Sequence, residues 1–197
     1  MDGLLDNARH FLGTLLVVMV PPVTLIWLII HPWVRWWKRL GPLLTWLIVV
    51  PVVVSIGVLL SRVRGALLGP DLGTNWILIG MSAPFWAARF HYWRHLSIST
   101  AVGVPELSKG EQKGKLLREG IYGAVRHPRY LSAGLALVGE ALFINYVGIY
   151  ILLLLLVPVG YITMVLEERE LVDRFGEDYR QYQREVPRFI PRWRRPR

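Results

Sequence analysis

The sequence of 197 residues contains no cysteine. Disulfide bonds, thiolate nucleophiles and cysteine-ligated metal sites are therefore excluded. Charged residues are scarce, at 19% of the chain, whereas 53% of the residues are hydrophobic and the mean hydropathy is +0.39. Acidic residues are outnumbered by basic ones, 14 against 23, so the formal net charge is +9. Little charge together with many apolar residues is typical of a protein that lies in the lipid bilayer.

The apolar residues are concentrated in five blocks, and each block predicts a membrane-crossing helix. The first three blocks are about 19 to 20 residues long, which is enough to cross a hydrocarbon core of roughly 30 Å. The last two blocks are joined directly and predict a helical hairpin. The predicted spans are Phe11 to Ile30, Gly41 to Leu60, Asn75 to Trp93, Tyr130 to Asn145 and Val147 to Leu166. The sequence therefore predicts an all-α integral membrane protein with five transmembrane helices.

The distribution of Lys and Arg predicts the orientation of these helices. Most of the 23 basic residues lie in residues 31–40, 94–129 and 167–197. Because basic loops stay on the cytoplasmic side, we expect the N-terminus outside and the C-terminus in the cytosol. Anionic lipid head groups explain this charge better than nucleic acid does, so the expected partner is the membrane and not nucleic acid. We predict a single membrane domain over 1–197, with three transmembrane helices in 1–95 and two in 96–197.

Two polar segments flank the predicted hairpin. The first, residues 120–130, contains Tyr122, His127 and Tyr130, and Pro128 should present His127 from a turn at a helix start. The second begins at Glu167 as the last helix leaves the bilayer. Because the helices of a hairpin are antiparallel, we expect residues 120–130 and 163–179 to meet on the cytosolic side. A carboxylate, tyrosines and an imidazole would suit a ligand that has both positive and negative groups.

The same residues also have a purely structural interpretation. The run Arg-His-Pro-Arg at 126–129 could be only a basic turn beside the membrane. The acidic run at 167–170 could be a solvated helix segment, with Glu170 paired to Arg174 at the i,i+4 spacing. The chemistry of the residues alone leaves both interpretations open.

The two segments together resemble the isoprenylcysteine carboxyl methyltransferase family and the related phospholipid methyltransferases. The shared pattern is Gly-x-Tyr-x-x-x-Arg-His-Pro-x-Tyr at 120–130. It continues in 167–187 as Glu-Glu, then Leu-x-x-x-Phe-Gly-x-x-Tyr-x-x-Tyr, and finally Val-Pro. The resemblance covers about 113–191. It implies S-adenosylmethionine as the cofactor, held in a cytosolic pocket between the loop before the hairpin and the helix after it.

Carried over position by position, the resemblance implies roles for particular residues. Glu167 and Arg126 would be catalytic, and Glu167 would also anchor the cofactor, while Gly114 and Lys115 match the start of the cofactor loop more loosely. The implied cofactor-binding residues are Leu116, Leu117, Tyr122, His127, Pro128, Tyr130 and Glu167.

The resemblance also implies direct methyl transfer to a lipid-like or small hydrophobic acceptor. The prenylcysteine enzymes have an arginine, associated with the carboxylate of their substrate, one helical turn before the second-segment glutamate. This chain has Thr163 there. A prenylcysteine carboxylate is therefore one of several acceptors that remain open.

Two other functions are alternatives to methyl transfer. One is a membrane reductase of the sterol type, which uses NADPH and is normally larger. The other is a non-catalytic membrane module of the same fold. His91 and His95 have a spacing that suits a metal, but no third ligand accompanies them, so we expect no metal. Glu140 lies inside the fourth predicted span and is a functional candidate because carboxylates are costly in a membrane.

Overall fold

The computed structural model describes residues 2–93 and 116–191. Within these two ranges the backbone forms helices and no β-strand, with one isolated bridge between Asp71 and Tyr146. The all-helical prediction is confirmed for this part of the chain. The helices are α1 (Asp2–Ile30), α2 (Val34–Leu40), α3 (Pro42–Ser61), α4 (Arg64–Leu68), α5 (Trp76–Trp93), α6 (Ile121–Ala124), α7 (Pro128–Ile144), α8 (Val147–Phe175) and α9 (Glu177–Glu185).

Three of the described helices are long and apolar enough to cross a membrane. They are α1, α3 and α8. The helices α5 and α7 occupy the other two predicted spans but, at 18 and 17 residues, do not reach the same combination of length and hydropathy. The protein is therefore an integral membrane protein by its helices, whereas membrane crossing by α5 and α7, and hence five spans, stays a prediction.

Two helices extend well beyond the apolar blocks that predicted them. Helix α1 begins at Asp2 instead of Phe11, and α8 continues past Leu166 to Phe175. The residues after Leu166 are mostly Glu, Arg and Leu, which favour helix, and α8 ends where Gly176 adopts a φ of 64°. Because the charges that begin at Glu167 are costly in hydrocarbon, the membrane-spanning part of α8 ends at Leu166.

Helix α1 is the centre of the bundle. It packs against α3, α4, α7 and α8, and α5 packs against α7. One buried apolar cluster joins α1 to α4 and to the hairpin through Val17, Leu68 and Ile144. A second joins α1 to α2 and α3 near the other end of α1, and includes Ile30 and Trp37. The bundle therefore has one end near the start of α1 and another near the end of α1.

The first end of the bundle is held by Arg9, which is only 1% exposed. Its Nε donates to the carbonyl oxygen of Ile144 at 3.0 Å, and its Nη1 donates to Asp6 and Thr74 at 2.9 and 3.1 Å. Its Nη2 donates to Asp71. The guanidinium therefore ties the start of α1 to the loop after α4 and to the end of α7; this is called the Arg9 end.

The turn between α7 and α8 confirms the predicted hairpin. Asn145 adopts a left-handed conformation with φ 54° and ψ 49°, which asparagine tolerates better than most residues. Its side-chain amide donates to the carbonyl oxygen of Gly73 at 2.9 Å, and the Tyr150 hydroxyl donates to its side-chain oxygen at 3.0 Å. These bonds fix the turn against the loop that Arg9 also holds.

We expect Arg9→Met to destabilise the protein by about 2–3 kcal/mol, because the buried carbonyl of Ile144 and the neighbouring carboxylates lose their donor. Thermal unfolding of the purified protein in detergent measures the change. Arg62→Met is the matched control, since Arg62 is exposed at the end of α3. Equal melting temperatures for the two variants would contradict a structural role for Arg9.

Candidate active site

Helix α8 leaves the bilayer with two consecutive glutamates, and the second of them is the centre of the opposite end of the bundle. Glu168 is 5% exposed. Its Oε1 accepts hydrogen bonds from Arg126 Nη2 and His127 Nε2, each at 2.9 Å, and its Oε2 accepts one from Arg188 Nη2 at 2.8 Å. The predicted meeting of residues 120–130 with the start of the acidic run is confirmed. This is called the Glu168 end.

The surroundings of Glu168 keep its carboxyl ionised. Burial favours the neutral form, but the hydrogen bonds from His127 and Arg188 and the charge of Arg126 outweigh it and lower the pKa of the carboxyl to about 2. A carboxylate only accepts hydrogen bonds, so Nε2 of His127 must carry the proton. The same hydrogen bonding to Glu168 raises the pKa of the Arg188 guanidinium.

Arg126 also fastens the segment that follows α9. Its Nη1 donates to the carbonyl oxygens of Gln183 and Val186 at 2.7 and 2.6 Å, and its backbone N–H donates to that of Pro187 at 2.9 Å. With Nε and Nη2 also bound to Glu168, four of the five N–H donors of the guanidinium are used within the protein. This geometry gives Arg126 a positioning role, and its catalytic role stays a prediction.

Glu167 faces a different set of neighbours, because consecutive helical residues point about 100° apart. Its side chain is 14% exposed, and its Oε2 lies 3.4 Å from Arg129 Nη2. Arg129 in turn lies over the rings of Trp27 and Tyr130, at 5.3 and 5.4 Å from their centroids. Glu167 therefore has one long ion pair and a hydrogen bond with Tyr130, where Glu168 has several short ion pairs. It keeps more capacity to accept further hydrogen bonds.

A cavity of about 440 Å³ lies beside this pair, between α1, α7 and α8. Arg129 and Tyr130 form part of its wall. The rest of its lining is mostly apolar and includes Trp27, Leu137, Leu153, Gly160, Thr163 and Phe189. The Thr163 hydroxyl donates to the carbonyl oxygen of Val159 at 2.9 Å, so it is already satisfied within α8. The cavity is therefore mostly apolar, with the polar side chains of Arg129 and Tyr130 in one part of its wall.

The loop before α7 is held against α9. The Tyr182 hydroxyl donates to the carbonyl oxygen of Tyr122 at 2.6 Å, and Leu116 packs on the buried cluster that contains Tyr179 and Tyr182. Burial is the largest cause that raises the pKa of Tyr182 to about 12, so this hydroxyl stays a donor. Tyr122 and Leu116 therefore lie on the α9 side of the Glu168 end.

The predicted site residues thus occupy two neighbouring groups. His127, Pro128 and Tyr130 open α7 beside the two glutamates, and the His127 and Tyr130 rings meet edge to face at 5.6 Å. Leu117 is 49% exposed on the loop. Gly114 and Lys115 lie outside the described residues. The role of each in binding a cofactor stays a prediction.

Three contributors were missed from the sequence. Glu168, Arg188 and Phe189 form or flank the charged centre, with the rings of His127 and Phe189 6.3 Å apart. The signal was present, because the second half of the pattern contains a Glu-Glu doublet and ends on Val-Pro, directly before Arg188. Sequence alone did not show which glutamate of the doublet faces the Arg-His-Pro turn.

The described residues contain no group of three His, Cys, Asp or Glu side chains placed to hold a metal ion. His95 lies outside the described residues, so the His91 and His95 pair is not described. Glu140 lies on α7 and is electrostatically coupled to Arg89 on α5. A catalytic role for Glu140 is untested.

Residues 78–178 match the family model described as phospholipid methyltransferase. The chain belongs to this family. The match covers most of α5, all of α6 to α8 and the first residues of α9, so it contains both glutamates, the Arg-His-Pro turn and the cavity walls that α7 and α8 contribute. The resemblance seen in the sequence is therefore confirmed.

Curated relatives of this family member are named as methyltransferases. It is 39% identical over 82 residues to methanethiol S-methyltransferase 1 of Bradyrhizobium diazoefficiens, covering 38% of this chain and 25% of that protein. It is 34% identical over 85 residues to protein-S-isoprenylcysteine O-methyltransferase of Schizosaccharomyces pombe, covering 43% of this chain and 36% of that protein. A match to methanethiol S-methyltransferase of Pseudomonas deceptionensis is 38% identical and covers 38% of this chain and 28% of the relative. The chain thus spans about a quarter to a third of these relatives, and no solved structure matches it.

We expect Glu168→Gln to destabilise the protein by about 3 kcal/mol at neutral pH, because three positive or donor groups lose a buried carboxylate. The folded-state pKa lies below the unfolded value, so this stabilisation is present above about pH 4.5 and is lost as the pH falls towards 2. The difference in melting temperature between wild type and variant should therefore be constant from pH 7 to 5 and shrink below it.

Glu177→Gln is the control for this experiment, since Glu177 is exposed and forms only surface pairs with Arg180 and Arg184. It should change the melting temperature little at any pH. A pH-independent difference between wild type and Glu168→Gln would contradict the ionised state of Glu168.

Proposed function

We propose that this protein is an S-adenosylmethionine-dependent methyltransferase that acts on a lipid-like or small hydrophobic acceptor. The observation that carries the proposal is the junction at the Glu168 end. There the apolar cavity between α1, α7 and α8 meets Arg129 and Tyr130, which contact Glu167. An apolar acceptor would enter from the bilayer, and the polar cofactor would enter from the cytosol. The C-terminus of the chain would lie on that cytosolic side.

The capacity of Glu167 to accept further hydrogen bonds supports S-adenosylmethionine as the cofactor. The cofactor carries an ammonium group and ribose hydroxyls, which are all donors, and Glu167 has only one described ion pair, at 3.4 Å. Glu168 does not fit this role, because its oxygens already accept bonds from Arg126, His127 and Arg188. We therefore assign the anchor to Glu167, with Tyr130 beside it. Leu116, Leu117 and Tyr122, from the segment before α7, are assigned as further contacts.

When bound, S-adenosylmethionine would supply an electrophilic methyl group on a sulfonium. The bond from methyl to sulfur would break as the bond to the nucleophile forms, with S-adenosylhomocysteine as the neutral leaving group. The chain has to hold donor and acceptor in line and exclude water, which accounts for most of the rate gain in such a reaction. The His127 ring is fixed by Glu168 on one edge and packs against Tyr130 with its plane tilted by 81°. This ring contact helps to fix Tyr130 in the wall of the cavity.

The lining of the cavity favours an acceptor without a carboxylate. Thr163 stands where the prenylcysteine enzymes have an arginine, and its hydroxyl is satisfied within its own helix. The arginine in the described lining, Arg129, is paired with Glu167. A neutral acceptor such as a small thiol therefore fits this cavity better than an anionic one, which agrees with the names of two of the three relatives.

Glu167→Gln should weaken binding of S-adenosylhomocysteine by about tenfold or more, because a charge-assisted hydrogen bond is worth roughly 1.5–3 kcal/mol. The measurement is the increase in melting temperature with S-adenosylhomocysteine, with NADPH in a parallel titration. Asp173→Asn is the control, since Asp173 is an exposed acid two turns further along α8. Stabilisation by NADPH alone would contradict the methyltransferase and favour the reductase.

Gly160→Leu should fill part of the cavity, because a side chain at Gly160 meets no atom within 4 Å at its first carbon. The KM of the larger acceptors should rise at least about tenfold, with little change for the smallest. Labelled methyl transfer to ethanethiol, N-acetyl-S-farnesylcysteine and phosphatidylethanolamine measures this size dependence.

Leu154→Ala is the matched control on the same helix, since Leu154 is 74% exposed and does not line the cavity. S-Adenosylhomocysteine should stabilise both variants as it does the wild type. If Gly160→Leu raised the KM of all three acceptors equally, the assignment of this cavity to the acceptor would be contradicted.

A further inference from the structure

A second cavity, of about 480 Å³, lies at the Glu168 end between the loop after α1, helix α2 and the charged part of α8. It shares no lining residue with the acceptor cavity. His31 lines this cavity and Trp27 lines the other, and their stacked rings, with centroids 5.6 Å apart, lie between the two cavities. The polar residues that matter for its chemistry are His31, Arg35, Lys38, Arg169, Glu170 and Arg174.

Two buried side chains in this cavity have polar atoms without a hydrogen-bond partner among the described residues. His31 is 4% exposed and its Nε2 is unpartnered. Glu170 is 9% exposed; its Oε1 accepts from Lys38 Nζ at 2.9 Å, whereas its Oε2 is unpartnered. Buried polar groups are nearly always satisfied, and Glu170 Oε2 can only accept, whereas His31 Nε2 accepts or donates according to its tautomer. The two atoms therefore indicate a ligand with hydroxyl groups, which both donate and accept.

The cavity also has more positive charge than its acids neutralise. Arg35 and Arg169 are exposed and form no ion pair with another described residue, and Arg174 lies over the Phe175 ring at 5.0 Å. Lys38 pairs with Glu170, and the other acid is Asp173. The surplus of arginine favours an anionic group, and arginine matches the geometry of phosphate oxygens.

The position of the cavity favours a lipid as the source of that group. Trp33 and Trp36 flank it with 66% and 48% of their surface exposed, as aromatic residues at a membrane interface do. Val34 and Leu166 complete the wall next to the apolar part of α8. A headgroup at this depth would keep its acyl chains in the bilayer beside the helices.

We propose that this cavity binds the headgroup of an anionic phospholipid, with the phosphodiester among Arg35, Lys38 and Arg169 and the headgroup hydroxyls at His31 and Glu170. The site is separate from the one that would hold the methyl acceptor. It anchors the loop after α1 to the charged part of α8, next to the Glu167 and Arg129 pair.

The test is thermal unfolding of the full chain in detergent with short-chain phosphatidylglycerol, and with phosphatidylcholine of the same chain length. Phosphatidylglycerol should raise the melting temperature in a saturable manner, and phosphatidylcholine should not. The double variant Arg35→Gln/Arg169→Gln should weaken the apparent affinity roughly 25-fold, since each cation near the surface is worth about a factor of five.

The control Arg39→Gln/Arg180→Gln removes the same charge from exposed positions outside the cavity and should keep the wild-type affinity. Equal weakening in both double variants would overturn the site in favour of general surface charge. Equal stabilisation by phosphatidylcholine would overturn the recognition of charge. If inorganic phosphate at the same concentration stabilised the protein as much as phosphatidylglycerol does, the bound anion would be free phosphate and the proposed lipid would be overturned.

Discussion

The Glu168 end depends on one buried carboxylate that accepts hydrogen bonds from two different stretches of chain. Arg126 and His127 approach from the turn before α7, and Arg188 approaches from the segment after α9. A buried carboxylate is costly unless it is paired and hydrogen-bonded, so each partner depends on the others. The contact with Arg126 thereby closes a loop that contains α7 and the membrane-spanning part of α8, across a sequence separation of 42 residues. Both cavities lie beside the helix that carries it.

The Glu-Glu doublet separates two tasks on one helix. Glu168 accepts several short hydrogen bonds from the protein and holds the architecture, whereas Glu167 contacts Arg129, which lines the cavity between α1, α7 and α8. One turn on, Glu170 faces the second cavity with one oxygen unpartnered. Because residues on a helix point in different directions at each step, a short acidic run can serve a structural centre and the two binding sites proposed above.

Much of this arrangement could be predicted from the sequence. Apolar length gave the helices to within a few residues for α3 and α5, and the direct joint at Asn145 gave the hairpin and therefore the meeting of Arg126 with the acidic run. Other features could not be predicted. The extension of α1 to Asp2 depends on Arg9 finding partners that are distant in sequence, at Asp71 and Ile144. The choice of Glu168 over Glu167 depends on the rotation of α8, which composition does not fix.

A double-mutant cycle between Arg126→Gln and Glu168→Gln tests most directly whether this carboxylate holds the two segments together. The free energy of unfolding would be measured for wild type, both single variants and the double variant. Because the two side chains contact each other in a buried network, the effects should be non-additive, with a coupling energy between about 1 and 3 kcal/mol. A coupling energy near zero would contradict the account.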